Sequence, residues 1–294
     1  LDSGQMQLNA KSVVVVDEGG MVGSRLMARL QDHVDAAGAK LVVIGDTRQL
    51  QPIDAGGAMR AQREAVGRFA EMNEIRRQKT DAERAMVHDA KAGKADAVLD
   101  YLEKSERFRI AENREELRKD MASAAVADLR DGKTSLALVE TRAEAEAINQ
   151  LARAEAKESG LVAQQDHAFR TDEEGIKQFS EGDRVIFLKN ENQELGVRNG
   201  TTGSVEKASD GRIWVRLDDA KRGAKAVLVD EKRYAQIRHG YAMTTHKAQG
   251  VTVDRARYAP GSMAHRELAY VALSRHRETV HLHLTKQQLA ERKD

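Results

Sequence analysis

Apolar positions in this chain fall into two textures that alternate. One is the short unbroken aliphatic run, the other the three-to-four-residue spacing of an amphipathic helix. Val13–Val16 is a run of four valines with no polar face, the pattern of a parallel strand buried on both sides. It ends abruptly in Asp17-Glu18-Gly19-Gly20. Ser24 is placed to cap a helix carrying Leu26, Leu30 and Val34 at four-residue spacing, and Gly38 to end it. Leu41–Ile44 reads as a second buried strand, stopped by Gly45-Asp46. Strand, helix and strand within about thirty residues make a βαβ unit. Sheets of that kind hold ligands at the carboxyl ends of their strands, where both acidic clusters fall.

The same alternation resumes further on. Residues 81–131 read as helical, with Asn113 and Glu116 resembling a capping box, Leu117, Met121, Ala124 and Leu129 roughly on one face, and Gly132 as the stop. Leu136–Val139 is another buried strand. Thr141-Arg142 follows, then a helix whose apolar face includes Ile148, Leu151 and Ala152 and which runs to Gly160. From about Phe179 to Val229 turn signals (Gly182-Asp183, Asn199-Gly200, Gly203, Asp210-Gly211) separate short strands at Arg184–Leu188, Gly203–Glu206, Ile213–Leu217 and Ala226–Val229. That predicts a small antiparallel barrel. A helix near His265–Leu273, a strand at Thr279–Leu284 and a polar, helical or frayed tail at Lys286–Asp294 complete the chain. The domain plan is therefore a first α/β lobe at 1–75, a second at 76–178 plus 230–294, and an inserted barrel at 179–229.

Composition narrows the function classes. A length of 294 residues fits about two domains. Lys plus Arg number 48 against 47 Asp plus Glu, so bulk positive charge cannot drive nucleic-acid coating, although a local basic groove survives the averaging. The aliphatic runs are far shorter than the ~20 residues of a membrane span, so none is expected. With no cysteine there is no disulfide, zinc-thiolate site or cysteine nucleophile, which fits a cytoplasmic setting. No secretory signal pattern is read at the start. Aromatics at 4% argue against extensive base stacking. The chain starts at Leu1 and passes through a polar lead straight into a strand, which reads as a fragment of something longer.

Five segments carry candidate chemistry. Asp17-Glu18 after an aliphatic strand has the form of a Walker B element, in which one carboxylate holds magnesium and the other polarises the attacking water; a solvated acidic turn would look the same. In Gly45-Asp46-Thr47-Arg48-Gln49-Leu50-Gln51-Pro52, Gln49 is suited to hydrogen-bond a γ-phosphate or its water; the alternative is a plain polar loop. Arg77, in Glu74-Ile75-Arg76-Arg77-Gln78, offers a bidentate guanidinium to phosphate, or belongs to a charged linker. Gly240–Gly250 packs Thr244, Thr245, His246, Lys247 and Gln249 between two glycines, either as a loop facing phosphate or ribose or as a solvated turn. The apolar segment Ala269–Ser274 then delivers Arg275 at a helix end, as an arginine finger or as a cation complementing the helix C-terminus.

In order, DEGG, GDTRQLQP, EIRRQ, TTHKAQG and YVALSR resemble motifs II to VI of the superfamily 1 helicases, most closely the RecD-like branch that includes the helicase region of conjugative relaxase–helicases. Ser135–Asn149 looks like the strand–helix of that branch that contacts single-stranded DNA, and GDRVIFLKN…VRNGTTGSV like its inserted barrel. The resemblance implies two RecA-like P-loop NTPase lobes, the first incomplete. It implies ATP and Mg²⁺ as cofactors, 5′-to-3′ movement on single-stranded DNA, a parent that is a conjugative DNA-transfer or RecD-like repair protein, and single-stranded DNA and the conjugative transfer machinery as partners. It assigns Asp17 to magnesium, Glu18 to the catalytic base and Gln49 to the γ-phosphate sensor. Arg77 and Arg275 would close on the γ-phosphate, with Asp46, Gln249 and Gly250 on the nucleotide side. Thr245, His246 and Lys247 would couple nucleotide to DNA, and Thr141, Arg142, Arg198 and Asn199 would contact the strand.

Two departures stand out. Gly20 occupies a place where the family more often has a small side chain, and the 294 residues contain no GxxxxGK[ST]. Gly132-Lys133-Thr134 is no substitute, because a helix precedes it and a strand follows, the reverse of a phosphate cradle. The chain alone is therefore expected not to hydrolyse ATP. A non-catalytic DNA- or partner-binding remnant is the alternative. His281-Leu282-His283 has the alternation of a relaxase metal pair, but a relaxase nuclease would also need a third ligand and a nearby tyrosine from among Tyr241, Tyr258 and Tyr270.

Overall fold

The computed structural model describes residues 7–50, 52, 56–67, 69–219 and 226–291. Gln51 of the GDTRQLQP run, the first half of the polar lead and the last three residues of the tail lie outside the described residues. The chain divides into two compact units, Leu1–Glu74 and Ile75–Asp294.

In the first unit β1 (Val13–Val16) pairs in parallel with β2 (Lys40–Val43), from Val13 opposite Lys40 to Val16 opposite Val43. Helix α1 (Ser24–Ala36) is the crossover and α2 (Ala58–Val66) follows β2. Two details differ from expectation. Ser24 is the first helical residue, and Gly23 in extended conformation is the N-cap, without a side-chain bond. The buried stripe of α1 runs through Met27 and Val34, seven residues and hence two turns apart, while Leu26 is exposed. The valine run is also not buried on both faces. Val13 and Val15 are 58% and 56% exposed, because the described helices of this unit cover only one side of a period-two strand.

The second unit is built on a parallel five-stranded sheet in the order β12-β4-β13-β14-β3. The segment 81–131 is three helices, α3 (Asp81–Ala92), α4 (Ala95–Lys104) and α5 (Arg114–Arg130), with edge strand β3 (Phe108–Ala111) before α5. The strand escaped the reading because only Ala111 of its four residues is buried. Asn113 does cap α5, accepting from the amides of Glu115 and Glu116, but Glu116 reaches back to the Glu112 amide rather than to Asn113. Strand β4 (Ser135–Val139) is buried and leads into α6 (Arg142–Glu158), capped by the Thr141 hydroxyl.

An antiparallel module follows. Hairpin β5 (His167–Thr171) and β6 (Gly175–Phe179) precedes a sheet of β7 (Arg184–Phe187), β8 (Thr202–Ser209), β9 (Arg212–Leu217), β10 (Val227–Asp230) and β11 (Ile237–His239). The sheet order is β10-β9-β8-β7-β11. Among the described residues β10 and β11 do not pair with each other, so the pairing is that of an open sheet and not a closed barrel. Its core is Phe169, Phe179, Val185, Phe187, Ile213, Val215 and Tyr234 with their neighbours.

The chain then returns to the parallel sheet as β12 (Ala242–Thr244), β13 (Val253–Tyr258), α7 (Arg266–Leu273), β14 (His276–Thr285) and α8 (Lys286–Ala290). One face of this sheet packs on α3, α4 and α7 through Leu136, Leu138, Ala256, Tyr258 and Val280. The other packs on α5 and α6 through Ala137, Val139, Leu117, Ile148 and Ala152. Among the described residues no helix is long and apolar enough to cross a membrane.

Candidate functional site

In the first unit the acids stand at the carboxyl ends of β1 and β2. Pairing continues past the strands, with the Ile44 amide donating to Val16 and the Gly19 amide to Ile44, both at 2.8 Å. The chain must turn sharply at once, and Glu18 takes a left-handed conformation, φ +51°, which is costly for a residue with a side chain. Asp17 is exposed, and one of its carboxylate oxygens accepts the Glu18 amide at 2.9 Å. Beside it, Asp46 accepts the Arg48 amide at 2.9 Å and the Gln49 side-chain amide at 3.4 Å. The structure thus brings Asp17, Glu18, Asp46 and Gln49 onto neighbouring strand ends.

Glycine makes that approach possible. A Cβ on Gly45 would lie 3.0 and 3.1 Å from the backbone nitrogens of Gly20 and Gly19 and 2.9 Å from the Met59 sulfur. A Cβ on Gly19 would lie 2.3 Å from a Val43 methyl. Gly19 of DEGG and Gly45 are therefore a packing requirement of the paired tips. Gly45→Ala is expected to wedge the strand ends apart and cost about 1–3 kcal/mol, read as a lower urea midpoint at unchanged m-value.

The second unit ties both arginines to Ser274, Arg77 through the carbonyl and Arg275 through the hydroxyl. Arg77 Nη1 donates to the Ser274 carbonyl at 2.7 Å. Gln78, buried, donates to the same carbonyl and to that of His276. Arg275 follows at once, only 2% exposed, with Nε on the Val271 carbonyl at 2.9 Å and Nη2 on the Ser274 hydroxyl at 2.7 Å. Its guanidinium thus complements the C-terminus of α7, one of the two roles its position allowed.

The segment Gly240–Gly250 is not a free loop. Tyr241 through Thr245 are buried, β12 lies within it, and the Thr245 amide and hydroxyl both donate to the Val139 carbonyl, at 2.9 and 3.3 Å. A turn follows, with exposed His246, Lys247 in an ion pair with Glu173, buried Gln249, and Gly250 at φ +83°. Thr244 lies opposite Val139, so this turn and the Thr141-Arg142 start of α6 leave the same end of the parallel sheet. The turn carrying Arg198 and Asn199 reaches it too. Gly200 sits so close to Val251 that a Cβ would be 2.8 Å from its methyl. Thr141, Arg142, Arg198, Asn199 and Lys247 thus share one region, with Thr245 beneath it.

His281 and His283 face α5 from β14. Among the described residues no group of three or more His, Asp or Glu is placed to hold a metal. Tyr258 and Tyr270 belong to the core on the opposite face, and Tyr241 immediately precedes β12, a strand three strand spacings or about 14 Å from β14.

Residues 1–113 match a family described as an AAA domain. A probable conjugal transfer protein TraA of Sinorhizobium fredii is 38% identical over 277 residues, covering 94% of this chain and 25% of that protein. The ATP-dependent RecD2 DNA helicase of Deinococcus radiodurans is 26% identical over 283 residues, covering 90% of this chain and 35% of the helicase. The chain's relatives are TraA conjugal transfer proteins and helicases of the RecD and Pif1 kinds. The chain spans about a quarter of the length of the TraA relatives it matches. The fold is that of the helicase core: a Bacteroides Pif1 helicase, in a structure bound to single-stranded DNA, superposes with a TM-score of 0.56 at 19% identity, covering 91% of this chain and 70% of its own.

Sequence reasoning missed two groups in the second unit. Glu83 of α3, 1% exposed, accepts from the Tyr101 hydroxyl at 2.7 Å and from Arg107, and faces His276 Nε2 at 2.9 Å. Burial pushes its carboxyl up, but the His276, Tyr101 and Arg107 hydrogen bonds outweigh that and hold it below the usual range. This buried network fixes the strand start next to Arg275. The second group is Glu173 and Glu174 with Arg238 and Lys247, where the acids come from the β5–β6 turn. Neither has a local signature, since the partners lie 18 to 193 residues apart.

Proposed function

We propose that this chain is motor machinery of an ATP-dependent DNA helicase that moves 5′ to 3′ on single-stranded DNA in conjugative transfer, working in the cytoplasm. The observation that carries the reading is the convergence of Asp17, Glu18, Asp46 and Gln49 on adjacent strand ends, by way of glycines that leave no room for a Cβ. The donor chemistry fits magnesium–ATP. Mg²⁺ takes one or two carboxylates and completes its shell with phosphate and water, so an exposed Asp17 suffices without a protein cage. When bound, the ion would neutralise phosphate charge. Glu18 would accept the proton of the attacking water, and Gln49 would orient that water. Arg77 and Arg275 would answer the charge developing on the γ-phosphate. Thr141, Arg142, Arg198, Asn199, His246 and Lys247 would grip strand phosphates, with Gln249 and Gly250 on the nucleotide side. Such grip carries little sequence preference.

The test is steady-state ATP turnover and duplex displacement by the intact gene product with and without oligo(dT). Arg77→Ala and Arg275→Ala are each expected to lower kcat by about 10²-fold or more while KM moves little. Strand binding indifferent to nucleotide, with no turnover in the intact product, would favour the binding remnant.

A further inference from the structure

The turn of the β5–β6 hairpin lies on the region assigned above to DNA. Glu173 places both carboxylate oxygens on Lys247 Nζ, at 2.5 and 2.7 Å. Arg238 of β11, only 4% exposed, bonds Glu173 at 2.8 Å and Glu174 at 3.0 Å through one Nη. Lys177 pairs with Glu174 at 3.3 Å, and Arg142 lies within electrostatic reach of Glu173. Four cations from separate elements thus surround two acids at a hairpin tip. A buried arginine is expensive unless paired, yet the acids do not exhaust this one. Its Nε is buried with no hydrogen-bond partner among the described residues. The hairpin is held in place independently, by the Asp172 amide on the Ala235 carbonyl and by the Gly211 amide on the Ala168 carbonyl.

We infer that Arg238, Lys247 and Arg142 form an anion site for a phosphodiester group of single-stranded DNA, and that Glu173 occupies it as an internal stand-in for the phosphate. The inference rests on the DNA reading of Lys247. It adds that Arg238 belongs to the grip and that strand binding must displace a carboxylate. A carboxylate and a phosphate compete for the same donors with the same charge-assisted geometry, so removing the acid's charge should tighten strand binding.

The experiment is fluorescence anisotropy of a labelled oligo(dT) with the 294-residue chain across a salt series. Glu173→Gln is expected to lower Kd about 3- to 10-fold and to steepen the salt dependence by about 0.7 for each cation released. Glu158→Gln, an equal charge change at the far end of α6 from Arg142, about 24 Å away, should do neither. In a Lys247→Ala background the gain from Glu173→Gln should largely vanish. If Lys247→Ala weakens binding but Glu173→Gln leaves Kd and slope within error, or gains no more than Glu158→Gln, the inference falls and the DNA reading stands. If Lys247→Ala and Arg142→Ala leave binding unchanged, or no form of the chain binds, the DNA reading falls and takes the inference with it.

Discussion

Incubated with ATP, magnesium and oligo(dT), the 294-residue chain will release no more phosphate than its Glu18→Gln variant. The reason is an inventory of ligands. The first unit supplies Asp17, Glu18, Asp46 and Gln49, three acids and an amide. A triphosphate also needs donors on its β- and γ-oxygens, which helicases take from a lysine and a run of backbone N–H groups at a helix start. The 294 residues contain no GxxxxGK[ST], and Gly132-Lys133-Thr134 ends α5 at φ +68° instead of opening a helix. Losing one preorganised donor to a transition-state anion costs 10²–10³-fold, so losing the whole cradle should leave turnover more than about 10³-fold below that of a complete motor. Single-strand-stimulated turnover that Glu18→Gln abolishes would overturn this.

The second large effect is acid destabilisation between pH 7 and 5. Burial pushes His281 down to about 4 and His283 down to about 3, with Arg257 and Arg109 adding to both and Arg107 to His281; Asp128 of α5 opposes at His281. Both imidazoles therefore stay neutral in the fold well below the unfolded value near 6.5. Above that value neither state is charged and nothing is lost. Below it the unfolded chain takes up protons that the fold refuses, so stability falls until pH reaches the folded values. At pH 5 the penalty is about 2 kcal/mol for His283, with a smaller share from the partly solvent-screened His281. A melting temperature lower by about 4–8 °C is expected. His283→Gln should flatten that slope. The carboxylates held low by ion pairs, such as Glu278 at about 2 beside Lys133 and Lys79, titrate further down and do not blur this window. An equal decline from pH 7 to 5 in wild type and His283→Gln would refute the assignment.

What the sequence revealed follows the range of the interactions involved. Leu136–Val139 was legible because a strand buried on both faces must be apolar throughout, and it is fully buried. Val13–Val16 has the same pattern with half its side chains exposed, since a run of valines cannot say what covers it. Strand β12 hid inside a polar motif because three residues are too few for a period. The acids and Gln49 were legible because strand ends concentrate chemistry over a few residues. Arg77 and Arg275 were nameable from motif order, but their common tie to Ser274 spans 197 residues and leaves no local trace. The same holds for Glu173, which reads as one more acid in an Asp-Glu-Glu turn until the fold sets it on Lys247.

The passage from β11 to β12 has a consequence for protein engineering. Only Gly240 and Tyr241 separate the two strands. Gly240 lies against the β7 backbone, where a Cβ would be 2.8 Å from the Val185 carbonyl carbon. The Tyr241 amide meanwhile donates to Asn149 of α6. The small sheet is thus soldered to the large one at a seam two residues wide. A chimera that swaps this module between homologues should therefore keep the residues equivalent to 239–241 with whichever parent contributes both β7 and α6, or the graft will misalign the motif that follows.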